Sequence, residues 1–167
     1  MSIARAVMTV GYVGRLRPAS GTWGSAAALP LAWVLHIAGG PLLLALGAAL
    51  AFWAGLRAVA IETAEDADPD RSEIVIDEVV GQWIALLPVS AGAAAAGADV
   101  LALWPGWVVA FFAFRFFDIV KVWPANALDR RKDAWGVMAD DVIAGIFAAL
   151  AVVAGAALAH GPLLFAG

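Results

Sequence analysis

Five apolar runs, most of them long enough to cross a bilayer, constrain what this chain can fold into. A transmembrane helix needs about 20 predominantly apolar residues. Inside the hydrocarbon core only a structure that satisfies its own backbone hydrogen bonds is stable. The runs therefore predict an all-α fold, a polytopic membrane helical bundle of about four to five segments, although the first run is short for a full span. The runs are residues 26–38, 42–60, 74–90, 100–120 and 140–159.

Composition supports this class of protein and excludes others. Of the 167 residues, 63% are hydrophobic and 14% are charged, whereas soluble domains have about 45–50% and about 25%. The length predicts a single membrane-embedded domain over residues 1–167. A net charge of −4 argues against binding to nucleic acid. The chain has no cysteine, which excludes disulfides, thiolate nucleophiles and cysteine-ligated metals.

The charged residues are distributed unevenly between the loops. With five spans, all ten Lys and Arg residues fall on the side of the N-terminus, and of the fourteen acids only Asp99 falls on the other side. Loops rich in Lys and Arg remain in the cytoplasm. The sequence therefore predicts a multi-pass protein of the inner (cytoplasmic) membrane whose polar site faces the cytoplasm.

Carboxylates mark the matching ends of three apolar runs. Charged groups at a membrane segment are costly and are a functional hypothesis by default, and carboxylate oxygens suit a hard cation such as Mg²⁺. The alternative is helix capping, because acids are favoured in the first turn of any helix. Because acids occur at the matching ends of three segments, we favour a shared metal site over three separate helix caps. The predicted ligands are Asp77, Glu78, Asp118, Asp140 and Asp141.

A glycine follows two of these acids at the same spacing. Asp77 precedes Gly81 by four residues, and Asp141 precedes Gly145 by four, so each pair shares a helix face. A glycine there lets a neighbouring helix or a ligand approach closely. Ordinary packing of small residues is the alternative.

Basic residues near Asp118 are candidates for binding a phosphate. Arg115, Asp118 and Lys121 follow one another at intervals of three within an apolar run, so they lie on one helix face. The simpler interpretation is an ion pair within the helix that lowers the cost of burial. We favour Arg115 and Lys121 on phosphate, because the planar guanidinium fork suits phosphate oxygens.

Two further segments are weaker candidates for the phosphate site. Thr22 and Ser25 provide hydroxyls beside two glycines at a predicted helix start, where backbone N–H groups form an anion site, but Ser and Thr also act there as ordinary caps. Arg130 lies in a basic segment that a cytoplasmic loop would contain in any case.

The missing residue types narrow the reaction class. A cysteinyl-phosphate route is excluded, His36 and His160 lie away from the acids, and no Asp-x-Asp motif follows a strand. The remaining chemistry is metal-assisted attack by water, with a carboxylate accepting the proton. The predicted catalytic residues are Asp77, Glu78, Asp141 and Thr22.

Four ordered sequence blocks resemble the phosphatidylglycerophosphatase A family. They are Gly21–Ser25, Ile74–Gly81, Phe114–Pro124 and Gly136–Gly145, within about residues 15–147. The resemblance implies a helical membrane enzyme that uses Mg²⁺ to remove the terminal phosphate of phosphatidylglycerophosphate, giving phosphatidylglycerol. Ser20 and Val122 stand where the family usually has proline, and these departures spare every carboxylate. The residues on motif positions are Thr22, Asp77, Glu78, Arg115, Asp118, Lys121, Asp140 and Asp141.

Two other functions use similar residues. Another Mg²⁺-dependent enzyme of lipid phosphates, such as a phosphotransferase acting on a nucleotide-linked lipid, needs a longer Asp-rich signature that is missing. A carboxylate-lined cation carrier places its acids near the middle of the bilayer, whereas here they lie at segment ends. The expected partners are the phospholipid substrate and the lipid bilayer, and the oligomeric state is left open.

Overall fold

The computed structural model is all-helical, as the apolar runs predict. It describes residues 2–65 and 71–164, so residues 66–70, between the second and third apolar runs, lie outside the described residues. Side chains are described up to residue 159. The helices are α1 (Ile3–Met8), α2 (Ser20–Glu62), α3 (Ile76–Ala96), α4 (Trp104–Val120), α5 (Ala125–Asp129) and α6 (Ala134–Leu164), with 3-10 turns at Val13–Arg15 and Val100–Leu103.

Within the described residues, four helical segments are long and apolar enough to span a membrane. They are Ser20–Glu62, Ile76–Ala96, Val100–Val120 and Ala134–Ala159. Large apolar side chains such as Leu50, Phe112 and Leu150 are at least 60% exposed. Lipid tails solvate such side chains, whereas soluble proteins rarely expose them over large patches. The chain is therefore a multi-pass membrane protein.

Helix α2 joins the first two predicted runs and folds back on itself at Gly39 and Gly40. Gly40 has a φ of 62° and a ψ of −155°, which only glycine adopts readily. A Cβ on Gly47 would lie 2.9 Å from Leu35 Cδ1, although twelve residues of straight helix would separate these positions by ~18 Å. The two arms, 20–38 and 41–62, thus lie side by side. The first arm begins at Ser20 rather than at residue 26, so its length of roughly 28 Å approaches the thickness of the hydrocarbon core.

Helix α3 is the centre of the bundle. It packs against both arms of α2, against α4 and against α6, and it is the most buried of the long helices. Trp83 Nε1 donates a hydrogen bond of 2.9 Å to the Ala28 carbonyl, and His36 is hydrogen-bonded to Ser90. These contacts hold α3 parallel to the first arm of α2.

The N-terminal segment closes the polar end of the bundle. Arg5 Nη2 lies 3.0 Å from Glu62 Oε2, and Arg15 Nε lies 3.4 Å from Glu73 Oε2. The Val75 N–H donates to the Met8 carbonyl at 3.0 Å. The chain before α2, the end of α2 and the start of α3 therefore meet at one end, while the Gly39–Gly40 turn and Asp99 lie at the other.

Single cysteines should report which side of the membrane each end faces. The chain has no native cysteine, so each introduced thiol reports only its own position. We expect Leu16→Cys and Leu128→Cys to react with a membrane-impermeant maleimide only from the cytoplasmic side, because the basic residues cluster at that end. Ala38→Cys and Ala95→Cys should react only from outside. Labelling of position 16 from outside would contradict the predicted orientation.

Candidate active site

The predicted metal ligands come from three helices that meet at the polar end. Asp77 and Glu78 lie in the first turn of α3, Asp118 lies near the end of α4, and Asp140 and Asp141 lie early in α6. Helices α3 and α6 both begin at this end, and α4 finishes there. The fold therefore brings together carboxylates that are up to 64 residues apart in the sequence.

Direct backbone contact between α3 and α6 sets the distance between their acids. A Cβ on Gly145 would lie 2.5 Å from the Gly81 carbonyl oxygen and 3.0 Å from Gly81 Cα. A Cβ on Gly81 would lie 2.7 Å from the Asp141 carbonyl oxygen. Real Cβ atoms do not approach backbone this closely, so both positions require glycine. Each glycine lies one helical turn beyond an acid, and the contact therefore brings Asp77 and Asp141 together.

Three of the five acids form a compact cluster. One carboxylate oxygen from each of Asp77, Glu78 and Asp141 lies within 4.8 Å of the other two. Asp141 is buried, and Asp77 and Glu78 are half-buried. The Glu78 Oε2 atom is buried and has no hydrogen-bond partner among the described residues. Buried carboxylates repel one another unless a cation compensates them, so this donor set fits a hard divalent ion.

The other two acids are paired with basic residues. Asp118 Oδ2 lies 2.7 Å from Arg115 Nη1, and Asp140 forms an ion pair with Lys121. Lys121 Nζ also lies 2.7 Å from Asp129 Oδ1. That all five acids bind the metal stays a prediction. The structure brings all five to one cavity, with Asp77, Glu78 and Asp141 clustered and Asp118 and Asp140 in ion pairs beside them.

Arg115 connects α4 to the two helices beside it. Its Nη1 atom lies 3.9 Å from Glu78 Oε1 and donates a hydrogen bond of 3.5 Å to Ser25 Oγ. A Cβ on Gly21 would lie 2.2 Å from Glu78 Oε1 and 3.0 Å from Arg115 Nη1. The first arm of α2 can approach this ion pair only because residue 21 has no side chain.

Lys121 keeps its positive charge beside the acids. Burial lowers the pKa of Lys121, but the hydrogen bonds to Asp129 and Asp140 outweigh burial and raise that pKa above its ordinary value. Lys121 follows the last residue of α4 with a φ of 49°, which turns the chain toward α5 and α6. A fixed ammonium group therefore borders the carboxylate cluster.

The polar end contains a cavity of about 170 Å³. All five predicted metal ligands and Lys121 line it. Sequence reasoning did not single out Ser20, Arg71, Ser72 and Asp129 as site residues, since single polar residues in a loop resemble any solvated loop. Arg131 also lines the cavity, although its guanidinium lies 2.6 Å from Asp133.

Of the five predicted phosphate ligands, Lys121 lines the cavity, whereas Thr22, Ser25, Arg115 and Arg130 do not. Thr22 and Arg130 are exposed. Ser25 is buried, and its hydroxyl donates to the Gly21 carbonyl at 2.9 Å while accepting from Arg115. Helix α2 begins at Ser20, whose hydroxyl donates to the Ser72 carbonyl. Ser25 thus contacts Arg115, and the structure brings neither Thr22 nor Arg130 into the cavity lining.

Comparison with known proteins gives one family. The sequence model of the family described as Phosphatidylglycerophosphatase A matches residues 6–156. A phosphatidylglycerophosphatase A from Haemophilus influenzae is 36% identical, with 89% of this chain and 86% of that protein covered. The Escherichia coli K12 phosphatidylglycerophosphatase A is 32% identical over 86% of this chain and 78% of its own length.

A further relative matches about half of the chain. A putative phosphatidylinositol-3-phosphatase from Bacteroides thetaiotaomicron is 42% identical, with 47% of this chain and 44% of that protein covered. No solved structure matches the chain significantly.

Substitution of Gly145 tests whether backbone contact positions the acids. Gly145→Ala should lower the free energy of unfolding by about 1–3 kcal/mol, because the methyl group meets backbone atoms that cannot move aside. Phosphate release should fall as well. Gly155→Ala is the matched control. It lies in the same helix with no described atom of another element within 4 Å of its Cβ position, so it should stabilise the helix by roughly 0.5–1 kcal/mol. Equal stabilities of the two variants in detergent would contradict the close approach.

Proposed function

The chain belongs to the phosphatidylglycerophosphatase A family, and we propose that the carboxylate cluster at the polar end of its helices is the catalytic site. The enzyme is a phosphatidylglycerophosphatase, a lipid phosphatase of phosphatidylglycerol biosynthesis. Its proposed substrate is phosphatidylglycerophosphate, and its proposed reaction is attack of water on the terminal phosphate. One observation carries the assignment of the site: three carboxylates converge beside Arg115 and Lys121.

Asp77, Glu78 and Asp141 would hold Mg²⁺. Their oxygens lie close enough for one ion to contact all three, and the buried Glu78 Oε2 lacks a partner within the described chain. Oxygen-only ligands suit Mg²⁺ rather than a softer metal. Bound Mg²⁺ would supply Lewis-acid stabilisation of the negative charge on the phosphoryl group. Asp118 and Asp140 would act beside this cluster by orienting Arg115 and Lys121.

Arg115 and Lys121 would bind the phosphate oxygens. The two side chains border the acid cluster from α4 and from the chain just after it. Arg115 suits a phosphate because its planar fork donates two parallel hydrogen bonds. Thr22, Ser25 and Arg130 stay predicted phosphate contacts, with Ser25 positioned to act through Arg115.

A carboxylate of the cluster would accept the proton from the attacking water. Asp77, Glu78 and Asp141 all lie within one small volume, so each is within reach of a water molecule in the cavity. A positioned carboxylate base contributes about 10²–10⁴-fold to such a reaction. The same residues therefore account for proton transfer and for cation binding.

The position of the site at the helix ends explains why the enzyme is embedded in the membrane. The acyl chains of the substrate would stay in the bilayer while its headgroup enters the cavity. The one-sided distribution of Lys and Arg supports a cytoplasmic location for this end. The proposed location of the enzyme is the inner membrane, and the proposed organisation is a single domain. A cation carrier would need its acids near mid-bilayer, and the acids here lie within about two turns of the helix ends.

Phosphate release from the purified protein tests the function directly. Wild-type protein should release phosphate from phosphatidylglycerophosphate with Mg²⁺ and lose this activity after chelation by EDTA. Asp77→Asn and Asp141→Asn should each reduce turnover at least roughly 100-fold, because an amide replaces neither the charge nor the base. Asp99→Asn is the matched control, since it caps the 3-10 turn at the opposite end and Asn caps equally well. Wild-type turnover in either site variant would remove that residue from the site.

Arg115→Lys separates phosphate binding from charge balance. The lysine keeps the positive charge beside Asp118 but loses the two-pronged contact. We expect kcat/KM to fall by an amount equivalent to about 1–3 kcal/mol, the usual worth of a charge-assisted hydrogen bond, with little change in thermal stability. Arg57→Lys, an exposed position in the second arm of α2, should leave kcat/KM unchanged. A fully active Arg115→Lys variant would show that Arg115 serves the fold alone.

A further inference from the structure

Gln82 is a fully buried amide that the proposed chemistry does not use. Its exposure is 0%, and neither its side-chain oxygen nor its side-chain nitrogen has a hydrogen-bond partner in the part of the chain that the structure describes. An apolar side chain of similar size would avoid this loss of solvation, because an unsatisfied buried polar group destabilises a fold. A buried amide without an internal partner is positioned to bind a molecule from outside the fold, either water or a ligand.

Helix register places Gln82 one turn below the carboxylate cluster. Gln82 follows Glu78 by four residues, so it lies on the same face of α3 and ~6 Å farther from the polar end. In the parallel first arm of α2, Gly21 lies against Glu78 and Ala28 contacts Trp83. Gly24 packs against Val75, so the backbone of Ser25 lies level with the start of α3. Side chains of a helix lean toward its N-terminus, so the end of the Gln82 side chain is directed toward Ser25, as the end of the Glu78 side chain is toward Gly21.

A second unpartnered donor belongs to the same layer. The Nε atom of Arg115 is buried and lacks a partner among residues 2–65 and 71–159, while the Nη1 atom of the same side chain reaches Ser25. Arg115 and Ser25 thus meet at a junction between α4 and α2, and the helix register places the Gln82 side chain of α3 toward this junction. This junction lies between the carboxylate cluster and the apolar interior of the bundle.

We propose that Gln82 binds a hydroxyl group of the substrate headgroup, on the carbon next to the phosphate ester that is cleaved. The inference rests on the proposed function, since it concerns the same substrate at the same site. A neutral amide offers one acceptor and two donors, which matches a hydroxyl group that both donates and accepts. A phosphate oxygen would use only the donors of the amide, and a metal ion only its acceptor oxygen.

The depth of Gln82 agrees with this assignment. In a lipid with a terminal phosphate, that phosphate is the outermost group, and the glycerol that carries it lies closer to the bilayer. With the phosphate at Arg115 and Lys121, the linking glycerol passes on the membrane side of the cluster, where Gln82 lies. The glycerol of phosphatidylglycerophosphate has a free hydroxyl on the carbon adjacent to the phosphate ester, so Gln82 would favour headgroups with this hydroxyl.

The proposal is tested by combining one substitution with one change of substrate, which gives four measurements. Phosphate release by the wild type and by Gln82→Met is measured on phosphatidylglycerophosphate and on the analogue in which a methylene group replaces the adjacent hydroxyl-bearing carbon. We expect the wild type to prefer the hydroxyl substrate in kcat/KM by about tenfold or more, because a site built to bind a hydroxyl group rejects the substrate that lacks it. Gln82→Met should lose this preference by losing activity on the hydroxyl substrate alone.

Ser90→Ala is the matched control, because Ser90 is also buried and polar on α3 but is hydrogen-bonded to His36 away from the site. It should leave the substrate preference unchanged. The midpoint of thermal unfolding of Gln82→Met in detergent should be unchanged or higher, since the variant removes a polar group without an internal partner.

The outcomes separate this inference from the proposed function. Equal losses on the two substrates, a preference retained in Gln82→Met, or a clearly lowered unfolding midpoint would overturn the role of Gln82 while leaving the phosphatase activity in place. A wild type that releases phosphate from neither substrate would overturn the proposed substrate and this inference together.

Discussion

Backbone contact between α3 and α6 is the constraint on which the site depends. Gly81 and Gly145 allow the two helices to approach until carbonyl oxygen and Cα atoms touch. In a bilayer, helices gain little from burying apolar side chains against one another, so close packing at small residues provides much of their association. Because each glycine lies one turn beyond an acid, the same contact that joins the helices also joins their carboxylates. The two glycines that allow the helices to pack therefore also set the distance between the carboxylates.

The carboxylates around this contact outnumber the basic side chains that compensate them. Five carboxylates converge, and Arg115 and Lys121 form ion pairs with members of this group. The basic residues pair most closely with Asp118 and Asp140, and Arg115 lies 3.9 Å from Glu78, so the cluster of Asp77, Glu78 and Asp141 is only partly compensated. A bound divalent ion would complete the balance, and the incoming phosphate would meet the guanidinium and ammonium groups already held in place.

The surrounding helices convert this cluster into a site for a lipid. The first arm of α2 places Gly21 and Ser25 beside Glu78 and Arg115, and α1 packs over the same end. The cavity therefore opens at the polar end, while apolar helix surfaces extend from it into the bilayer. This arrangement accommodates a molecule whose phosphate is charged and whose remainder is insoluble in water.

Periodicity and charge in the sequence determined the helical membrane fold, the segment ends where the acids lie, and the residue types of the site. These properties are local, because a run of apolar residues must be helical in a bilayer and a carboxylate in such a run must lie near its end or near a partner. Four sequence blocks were also enough to identify the family. The first apolar run was counted from residue 26, because the small and polar residues at 20–25 resemble a turn, although they form the first turns of α2.

Only the tertiary structure decided how the acids divide and which other residues join them. Asp77, Glu78 and Asp141 cluster while Asp118 and Asp140 pair with basic residues, and no spacing in the sequence distinguishes the two groups. The lack of a hydrogen-bond partner for the Gln82 amide likewise depends on which helix surfaces pack against α3. Local patterns place each residue on its own helix, but distances between helices depend on the packing of residues far apart in the chain.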